Sequence, residues 1–369
     1  METVLITGGA GFIGSHLADE LLRAGYRVRA LDNLDPQVHG PARLPPAYLN
    51  PEVELQTGDV RDPAAVTRAL RNVQAVVHLA ARVGVGQSMY QIASYTDANI
   101  RGTAVLLEQL TQTPVQRLIV ASSMSIYGEG LYRHTEGRLV EAERNPASAK
   151  QGRWDVTGPD GTPLIPVPTP ETKRPSLASI YALTKMAQES MCLIYGRSYG
   201  LSVTALRLFN AYGERQALSN PYTGVLAIFG GRLLNRRPPL IFEDGRQRRD
   251  FIHVSDVARA CRLALETPAA ADMAINVASG HSITIAELAE QAARIMGVDI
   301  EPRITGEFRA GDIRHCFADI TAAGRILGFT PGITLDHGLG ELAAWLARQP
   351  FIDRLDEARN ELLARRLAQ

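Results

Sequence analysis

A glycine-rich turn near the start of the chain separates an apolar run from a segment with helical periodicity. Residues 3–7 form the run, Gly8, Gly11 and Gly14 form the turn, and residues 12–22 carry apolar side chains at helical spacing. Glycines in such a turn let the backbone bend tightly and let a phosphate group approach the main chain. The N-terminus of the following helix offers free N–H groups to an anion. A glycine triplet alone is a weak signal, but in this context it predicts a dinucleotide-binding βαβ unit.

Strands and helices alternate through the next part of the chain. Buried strands are predicted at residues 27–31, 53–57, 75–79, 117–121 and 202–206, and helices at 63–70, 92–110 and 180–199. Alternation of this kind predicts right-handed βαβ units and a parallel sheet with helices on both faces. We therefore expect an α/β fold in which residues 1–208 form a Rossmann-type, doubly wound domain.

The remaining segments are expected to add three parts to this domain. Residues 129–175 carry seven prolines and no sustained periodicity, which is typical of a long functional insertion. Residues 209–350, with helices predicted near 225–235, 255–266, 284–296 and 335–347, should form a smaller substrate-binding lobe interleaved with the last strands of the sheet. Residues 351–369 form a charged, helix-prone tail that we expect to be peripheral.

Charge and cysteine content disfavour several classes of function. The 369 residues carry 39 Lys and Arg against 39 Asp and Glu, so no basic field indicates a nucleic-acid or membrane partner. The three cysteines, Cys192, Cys261 and Cys316, are far apart and form neither a disulfide framework nor a metal-binding pair. With no apolar run of about 18 residues and no signal peptide, we expect a cytoplasmic protein without a bound metal.

A carboxylate ends the second predicted strand, about 20 residues after the glycine turn. Asp32 stands where a carboxylate accepts hydrogen bonds from the adenosine ribose hydroxyls of a dinucleotide. The same carboxylate repels a 2′-phosphate, and no arginine follows immediately to bind one. These residues favour NAD over NADP as the cofactor.

Several landmarks resemble one family. Residues 7–14 (TGGAGFIG), 32–34 (DNL), 58–60 (GDV) and 78–81 (HLAA), together with Asn99, resemble the extended short-chain dehydrogenases/reductases, specifically the nucleotide-sugar epimerase and dehydratase family. The resemblance covers nearly the whole chain apart from the insertion and the tail. It implies the following cofactor-binding residues: Gly8, Gly11, Phe12, Ile13, Gly14, Asp32, Asn33, Asp59, Val60, Leu79, Ala80, Ala81, Asn99, Tyr181, Lys185 and Phe209.

Tyr181 and Lys185 are spaced so that both side chains lie on one face of a predicted helix. A free tyrosine has a pKa of ~10 and is a poor base near neutral pH. A neighbouring ammonium and the positive nicotinamide ring of an oxidised cofactor lower that pKa, so the pair suits general-base chemistry at the cofactor. The resemblance adds Ser123, which lies four residues before Tyr127, as the third catalytic residue. Its hydroxyl is expected to bond the reacting sugar oxygen.

The two residues after Ser123 distinguish between reactions in this family. Dehydratases and decarboxylases of the family carry acidic residues there, whereas this chain has Met124 and Ser125. A thioether cannot protonate a leaving group, and a serine is a poor general base. A 4-epimerase needs only a base, a proton relay and bound NAD, because it oxidises C4, turns the ketone over and returns the hydride to the other face. We therefore expect an NAD-dependent isomerase that acts on nucleotide sugars.

The substrate end of the site is implied by the resemblance alone. Phe209 is expected beside the nicotinamide and Asn210 beside the substrate phosphates. Arg249 and Arg309 are implied to bind the diphosphate, and Asp312 the nucleoside ribose. An arginine fork suits the geometry of phosphate oxygens.

Shorter segments bear on the sugar and on the assembly. Residues 35–40, 123–130 and 220–224 look most like dTDP-L-rhamnose 4-epimerases, and the chain also resembles UDP-glucose 4-epimerases. We expect a dTDP- or UDP-linked sugar as substrate and a homodimer formed, as in the family, through the helices at 92–110 and 180–199. The alternatives are a UDP-hexose or UDP-hexuronate 4-epimerase, a nucleotide 4-ketosugar reductase and, in a different class, a non-catalytic dinucleotide-sensing or RNA-binding protein.

The insertion at residues 129–175 departs from close relatives, which often carry paired cysteines there. This chain has no cysteine in that range. The insertion joins the Ser123 segment to the Tyr181 helix, so both of its ends lie at the expected site. Our hypothesis is that it acts as a lid over the sugar, with Trp154 as one large apolar surface.

Overall fold

The computed structural model of the chain describes residues 1–218, 224–309, 311–349, 355–365 and 367. Residues 220–223 of the resembling segment and the tail residues 351–354, 366, 368 and 369 lie outside the described part. The strands are β1 (Thr3–Thr7), β2 (Arg27–Asp32), β3 (Glu54–Thr57), β4 (Ala75–His78), β5 (Arg117–Ser123), β6 (Leu131–Arg133), β7 (Leu139–Glu141), β8 (Ile165–Val167), β9 (Ser202–Leu208), β10 (Asn210–Tyr212), β11 (Leu240–Ile241), β12 (Arg248–His253), β13 (Met273–Val277), β14 (Ser282–Thr284), β15 (Arg303–Ile304) and β16 (His315–Cys316). The α-helices are α1 (Phe12–Arg23), α2 (Pro36–His39), α3 (Pro63–Ala69), α4 (Val85–Ser88), α5 (Ile92–Tyr95), α6 (Gly102–Gln112), α7 (Pro146–Ala149), α8 (Ile180–Tyr199), α9 (Val225–Leu234), α10 (Val254–Glu266), α11 (Ile285–Ile295), α12 (Thr321–Leu327), α13 (Leu335–Leu346) and α14 (Leu355–Ala364).

The central sheet has seven strands in the order β13–β9–β5–β4–β1–β2–β3, and every neighbouring pair is parallel. This confirms the predicted α/β fold with a doubly wound parallel sheet. The strand order reverses between β1 and β4, and open sheets of this kind bind ligands at the carboxyl ends of the strands beside that point. Strand β13 comes from residues 209–350, so the second lobe contributes to the sheet as the predicted interleaving requires.

Each face of the sheet carries its own apolar core. On one face Leu17 and Leu21 of α1 join Val257 and Cys261 of α10 in a buried cluster over the strands. On the other face the buried side chains come from α3, α6 and α8, with Leu106 of α6 among them. Such two-sided burial explains why these strands are continuous apolar runs rather than alternating ones.

The second lobe is built around a smaller sheet. Strand β12 pairs with β10, β14 and β16, and β11 pairs with β15. Helices α9, α11 and α13 pack beside it through a cluster that contains Phe229, Leu288 and Leu342. This lobe stands next to the carboxyl edge of the main sheet because β10 follows directly from β9.

Neither a membrane helix nor a metal cluster is found in the described ranges. No helix there is long and apolar enough to cross a bilayer, and no three His, Cys, Asp or Glu side chains group in a way that could hold a metal ion. The three cysteines are buried and free.

The single helix predicted at residues 92–110 is wrong in one respect. The segment begins as α5, widens into a π-helix at Thr96–Arg101 and continues as α6. Asn99 lies in the wide part and is fully buried. Its Oδ1 accepts from Arg82 N at 2.7 Å, and its Nδ2 donates to Thr184 Oγ1 at 2.9 Å. Wide turns of this kind often occur at functional sites, and here the turn joins the loop after β4 to α8.

The insertion at residues 129–175 is an ordered subdomain. Strand β6 pairs antiparallel with both β7 and β8, and Tyr132, Val156 and Leu164 form its small buried core. Strands of three residues are too short to give a readable alternation, so periodicity could not reveal this sheet.

A buried arginine attaches the insertion to the second lobe. Arg314 has no exposed surface. Its Nη2 donates to Asp155 Oδ1 in the insertion at 2.8 Å, and its Nη1 donates to Asp244 Oδ1 at 2.6 Å and to Glu243 Oε2 at 3.1 Å. From the insertion, Arg144 Nη1 donates to the other oxygen of Glu243 at 2.6 Å.

A second buried arginine lies beneath the carboxyl edge of the main sheet. Arg207 of β9 donates to both carboxylate oxygens of Glu189 on α8, at 2.6 and 3.1 Å. Its Nη1 also donates to the Tyr127 hydroxyl at 2.9 Å, and that hydroxyl donates to Asn276 Oδ1 on β13 at 2.7 Å. The network therefore connects β9, α8, β13 and the segment after β5.

Replacing Arg207 with methionine should lower the free energy of unfolding by about 3–5 kcal/mol, because the buried Glu189 carboxylate then loses both of its hydrogen bonds to the guanidinium. Urea unfolding followed by circular dichroism measures the loss. R325M, at an exposed position, is the matched control and should leave the midpoint unchanged. Equal midpoints for R207M and R325M would contradict the role of the buried pair.

Candidate active site

The glycine turn leaves the start of α1 open to a ligand. Gly8 has a φ of +72°, and a Cβ on Gly14 would lie 2.2 Å from the Gly8 carbonyl oxygen. Gly11 begins the helix without a side-chain cap, so the backbone N–H groups of Phe12 and Ile13 are available to an anion. The pyrophosphate of a dinucleotide fits this arrangement of small residues and free donors.

Asp32 is fixed at the end of β2 beside this turn. Its two carboxylate oxygens accept from Ala10 N at 3.0 Å and from Leu34 N at 2.9 Å. His39 Nε2 lies 3.6 Å from Asp32 Oδ1. A carboxylate offers about four acceptor positions, so acceptor capacity remains for the two ribose hydroxyls of a dinucleotide.

Asn33 and Asp59 meet at the ends of β2 and β3. Asn33 Nδ2 donates to Asp59 Oδ2 at 2.9 Å, and Arg61 donates to both Asp59 oxygens at 2.8 and 2.7 Å. The hydrogen bonds from Arg61 hold the pKa of Asp59 well below its ordinary value. Val60, predicted beside them, has its side chain in the apolar core on the α6 side of the sheet.

The loop after β4 lies directly against the glycine turn. It contains residues 79–81, and a Cβ on Gly8 would come within 3.0 Å of Ala80 N. Asn99 holds the next part of the loop through its hydrogen bonds to the Arg82 backbone. The structure therefore brings the predicted cofactor residues from β1, β2, β3 and β4 to one edge.

Ser123 and Tyr181 face each other at this edge. Ser123 ends β5, and Tyr181 lies in the first turn of α8, where Ser179 caps the helix by accepting from Ala182 N at 3.1 Å. The Ser123 side chain lies near enough to the Tyr181 phenol to act on its pKa, in the lowering direction. Ser125 Oγ also donates to Ser123 Oγ, at 3.0 Å. The chain thus provides a short relay of hydroxyl groups.

Burial opposes the charged forms of both Tyr181 and Lys185. It raises the pKa of Tyr181 to about 12, although the nearby Ser123 side chain acts in the lowering direction. It lowers the pKa of Lys185 to about 8, against the raising effects of Cys192 and Glu189. Lys185 is therefore an ammonium at neutral pH, whereas Tyr181 is a neutral phenol in the protein alone. A lowered pKa of Tyr181, as expected from the sequence, thus depends on the positive charge of a bound cofactor.

Two positioning residues were not predicted. Ser88 Oγ accepts from Tyr181 N at 3.0 Å, and Gln188 Oε1 accepts from Lys185 Nζ at 2.9 Å. Gln188 Nε2 in turn donates to Thr103 Oγ1 at 2.9 Å. Helical spacing could have identified Gln188, which lies on the same face as Lys185. No local pattern links Ser88 to Tyr181, because the two are far apart in sequence.

Phe209 and Asn210 follow β9 at the same edge. Phe209 is buried, and its ring centre lies 6.3 Å from that of Tyr127. Asn210 Nδ2 donates to the carbonyl oxygen of Asp250 at 2.8 Å. Phe209 therefore adjoins the segment after Ser123, and Asn210 adjoins both that segment and β12.

The three remaining predicted substrate residues lie together in the second lobe. Arg249 donates to the backbone carbonyl oxygen of Arg314 at 3.0 Å and so supports the segment that contains Asp312. Arg309 Nε donates to Asp312 Oδ2 at 3.0 Å. The Arg309 guanidinium carbon lies 4.6 Å from the ring centre of Phe242, an aromatic residue that the motifs did not point to.

The insertion reaches this end of the site. The Trp154 ring centre lies 6.3 Å from that of Phe308, the residue before Arg309. The Arg144 guanidinium carbon lies 5.8 Å from the Trp154 ring. The insertion therefore adjoins the predicted substrate residues, while its action as a lid stays a prediction.

Comparison with known proteins identifies the family. The sequence matches the NAD-dependent epimerase/dehydratase family over residues 4–150 and 155–278. The chain belongs to this family. A relative in the family, the dTDP-L-rhamnose 4-epimerase of Burkholderia thailandensis, is 33% identical over 353 residues, which cover 94% of this chain and 96% of the relative.

Solved structures agree with this assignment. The UDP-glucose 4-epimerase of Thermotoga maritima with UDP-glucose superposes with a TM-score of 0.78 at 32% identity, over 94% of this chain and 99% of that one. The UDP-glucose 4-epimerase of Thermus thermophilus in complex with NAD gives a TM-score of 0.75 at 29% identity, over 94% and 100% of the two chains. Family, fold and NAD dependence are thereby confirmed, and these relatives support nucleotide-sugar 4-epimerisation as the class of activity.

Purified wild-type protein should contain bound NAD, and G14A should contain almost none, because the added Cβ would lie 2.2 Å from the Gly8 carbonyl oxygen. Chromatography of the nucleotide released on denaturation measures the content. G340A is the matched control, since a Cβ there meets nothing within 4 Å. Wild-type NAD content in a folded G14A protein would contradict the role of the glycine turn.

Proposed function

We propose that the chain is an NAD-dependent nucleotide-sugar 4-epimerase whose catalytic residues are Ser123, Tyr181 and Lys185. The observation that carries the proposal is that the buried side chains of Ser123 and Tyr181 come together at the carboxyl edge of the sheet, where Ser123 acts to lower the pKa of Tyr181, beside the open glycine turn. Family membership and the 4-epimerases among the relatives support it.

Tyr181 would take and return the proton of the C4 hydroxyl group. Ser123 would hold that oxygen and, with its own hydroxyl, pass the proton between sugar and phenol. Lys185, an ammonium below pH about 8, would favour the phenolate electrostatically from the next turn of α8. NAD, when bound, supplies the acceptor and donor of the C4 hydride.

The neighbouring residues favour epimerisation over dehydration. Ser125, which stands where dehydratases carry an acidic residue, is a hydroxyl that donates to Ser123 at 3.0 Å. Glu129, the next carboxylate along the chain, already accepts from Arg314 N at 2.6 Å and from the Tyr132 hydroxyl at 2.6 Å. Neither residue is arranged to remove a proton from carbon.

We further propose how the chain binds its cofactor. The N–H groups that follow Gly11 would bind the pyrophosphate, and Asp32 would accept from the adenosine ribose hydroxyls. Asn33 and Asp59 would border the adenine, and residues 79–81 would line the rest of the cofactor, with Phe209 beside the nicotinamide. Asn99 would act by fixing the loop after β4.

The substrate diphosphate would be bound by Asn210, Arg249 and Arg309, and the nucleoside ribose by Asp312. Binding then requires Arg309 and Asp312 to exchange their mutual hydrogen bond of 3.0 Å for bonds to the substrate. Phe242, beneath Arg309, presents an apolar ring to the same space.

A dTDP-linked 6-deoxyhexose, as in dTDP-L-rhamnose, is our first candidate substrate, because the relative at 33% identity over 94% of the chain acts on that compound. A UDP-hexose is the second candidate, favoured by the TM-score of 0.78 to an enzyme solved with UDP-glucose. The buried free cysteines support a reducing compartment, and we propose the cytoplasm.

A panel of dTDP-, UDP-, GDP- and ADP-sugars, with products resolved by NMR, tests this function. We expect interconversion of the C4 epimers of one dTDP- or UDP-sugar without added cofactor. A stoichiometric requirement for added NADPH would instead indicate a 4-ketosugar reductase, and turnover of none of the compounds would refute the proposal.

Y181F should lose turnover by about 10²–10⁴-fold, because only the proton-transferring phenol is removed. Bound NAD and the circular dichroism spectrum should match those of the wild type. Y199F, at an exposed position on the same helix, is the control and should keep full activity. More than a tenth of wild-type activity in Y181F would exclude Tyr181 as the base.

We also propose a homodimer formed through α5, α6 and α8. Three apolar side chains on these helices are exposed in the single chain: Ile92 by 50%, Leu183 by 46% and Ile194 by 56%. Exposed apolar groups on neighbouring helices are typical of an interface between protein chains.

Light scattering at micromolar concentration should give the mass of a dimer. Replacing Leu183 and Ile194 with glutamate should shift the protein to a monomer, because charges would be buried in the interface. L44E, at an exposed apolar residue elsewhere, should leave the dimer intact. A monomeric wild-type mass would rule the dimer out.

A further inference from the structure

The C-terminal helix α14 makes polar contacts with two parts of the molecule. Its C-terminal end contacts Tyr90, which lies within residues 1–208. The Tyr90 hydroxyl donates to Glu361 Oε2 at 2.9 Å, and the Arg365 guanidinium carbon lies 4.4 Å from the Tyr90 ring centre. Its earlier part contacts the second lobe, where Arg359 Nε donates to Glu307 Oε2 at 2.8 Å and Nη2 donates to Oε1. The helix therefore bridges two segments that are remote in sequence.

The segment that contains Tyr90 also bonds to α8, the helix that carries Tyr181 and Lys185. Tyr90 follows α4 by two residues, and Ser88 at the end of α4 accepts from Tyr181 N at 3.0 Å. The contact of α14 with Tyr90 is thus made close to the support of the first turn of α8.

The segment that contains Glu307 leads to Arg309, the residue proposed to bind the substrate diphosphate. Glu307 lies two residues before Arg309, and its carbonyl oxygen accepts from Glu243 N at 2.8 Å. Phe242, the neighbour of Glu243, lies beneath the Arg309 guanidinium. Arg359 thus binds the carboxylate of Glu307, the residue that begins the segment leading to Arg309 (residues 307–309, the Arg309 segment). The hydrogen bonds from Arg359 lower the pKa of Glu307.

We propose that Arg359 is a positioning residue for nucleotide-sugar binding: through Glu307 it fixes the Arg309 segment, and α14 holds that segment at a set distance from the catalytic helix. The inference rests on the proposed role of Arg309 in binding the diphosphate. Arg359 touches neither sugar nor cofactor in this account. Its loss should therefore weaken binding of the nucleotide diphosphate and raise KM, while kcat and bound NAD stay as in the wild type.

Calorimetric titration of the full-length, NAD-loaded protein with dTDP and with UDP tests this inference. R359E should raise the Kd of the nucleotide that wild type binds more tightly by about tenfold, which equals ~1.4 kcal/mol. R348E, a charge reversal at an exposed arginine after α13, should leave Kd unchanged. The double variant R359E/E307R rebuilds the ion pair in reverse and should restore most of the affinity.

R309M separates this inference from the proposed function. If R309M weakens binding but R359E does not, or if R359E/E307R binds as weakly as R359E, the positioning role of Arg359 is overturned. If R309M binds as tightly as the wild type, the proposed diphosphate site itself is wrong. A rise in KM with unchanged kcat for R359E, rescued in the double variant, supports the positioning role.

Discussion

The buried ion pair between Arg207 and Glu189 joins the segments that carry the catalytic side chains. Glu189 follows Lys185 by one turn of α8. Tyr127, which also bonds to Arg207, ends the one-turn 3₁₀ helix Met124–Tyr127 that follows Ser123. An apolar pair could match the stability of such a contact. It would not supply directional hydrogen bonds, which here run from one guanidinium on β9 to α8 and to the segment that follows β5. The geometry of the site therefore depends on this pair.

The same burial that fixes the geometry opposes the chemistry. Desolvation raises the pKa of Tyr181 to about 12 and lowers that of Lys185 to about 8. A lysine whose pKa falls on folding is charged in the native protein only below the lowered value, so Lys185 loses its ammonium as the pH rises through about 8. Burial, helped by the nearby Lys185 charge, lowers the pKa of His78 to about 3, so that ring stays neutral. Positive charge from bound NAD must complete the activation of Tyr181, which links catalysis to occupancy of the cofactor site.

The sequence predicted the elements whose signal is local. Strand β1 and helix α8 have the predicted bounds. Each is specified by residues close together in sequence: an apolar run for the strand, and a capped helical segment for the helix. The π-helical turn at Thr96–Arg101 escaped prediction, since it depends on the contact of Asn99 with Thr184 across the fold. Long-range polar contacts such as Arg359 with Glu307 leave no periodic trace, and for that reason the contacts of the tail were not predicted.

The substrate end of the site depends on parts of the chain outside the parallel sheet. Glu243 adopts a φ of +57°, a conformation that glycine takes without strain and other residues rarely adopt. Its buried carboxylate lies between Arg144 of the insertion and Arg314 of the second lobe. A glycine would relieve the backbone but leave both arginines without that partner. The strain of about 1–3 kcal/mol is offset by two charged contacts. Glu243 thereby joins the insertion to residue 307, two residues before Arg309, in addition to the contact of Arg314 with Asp155.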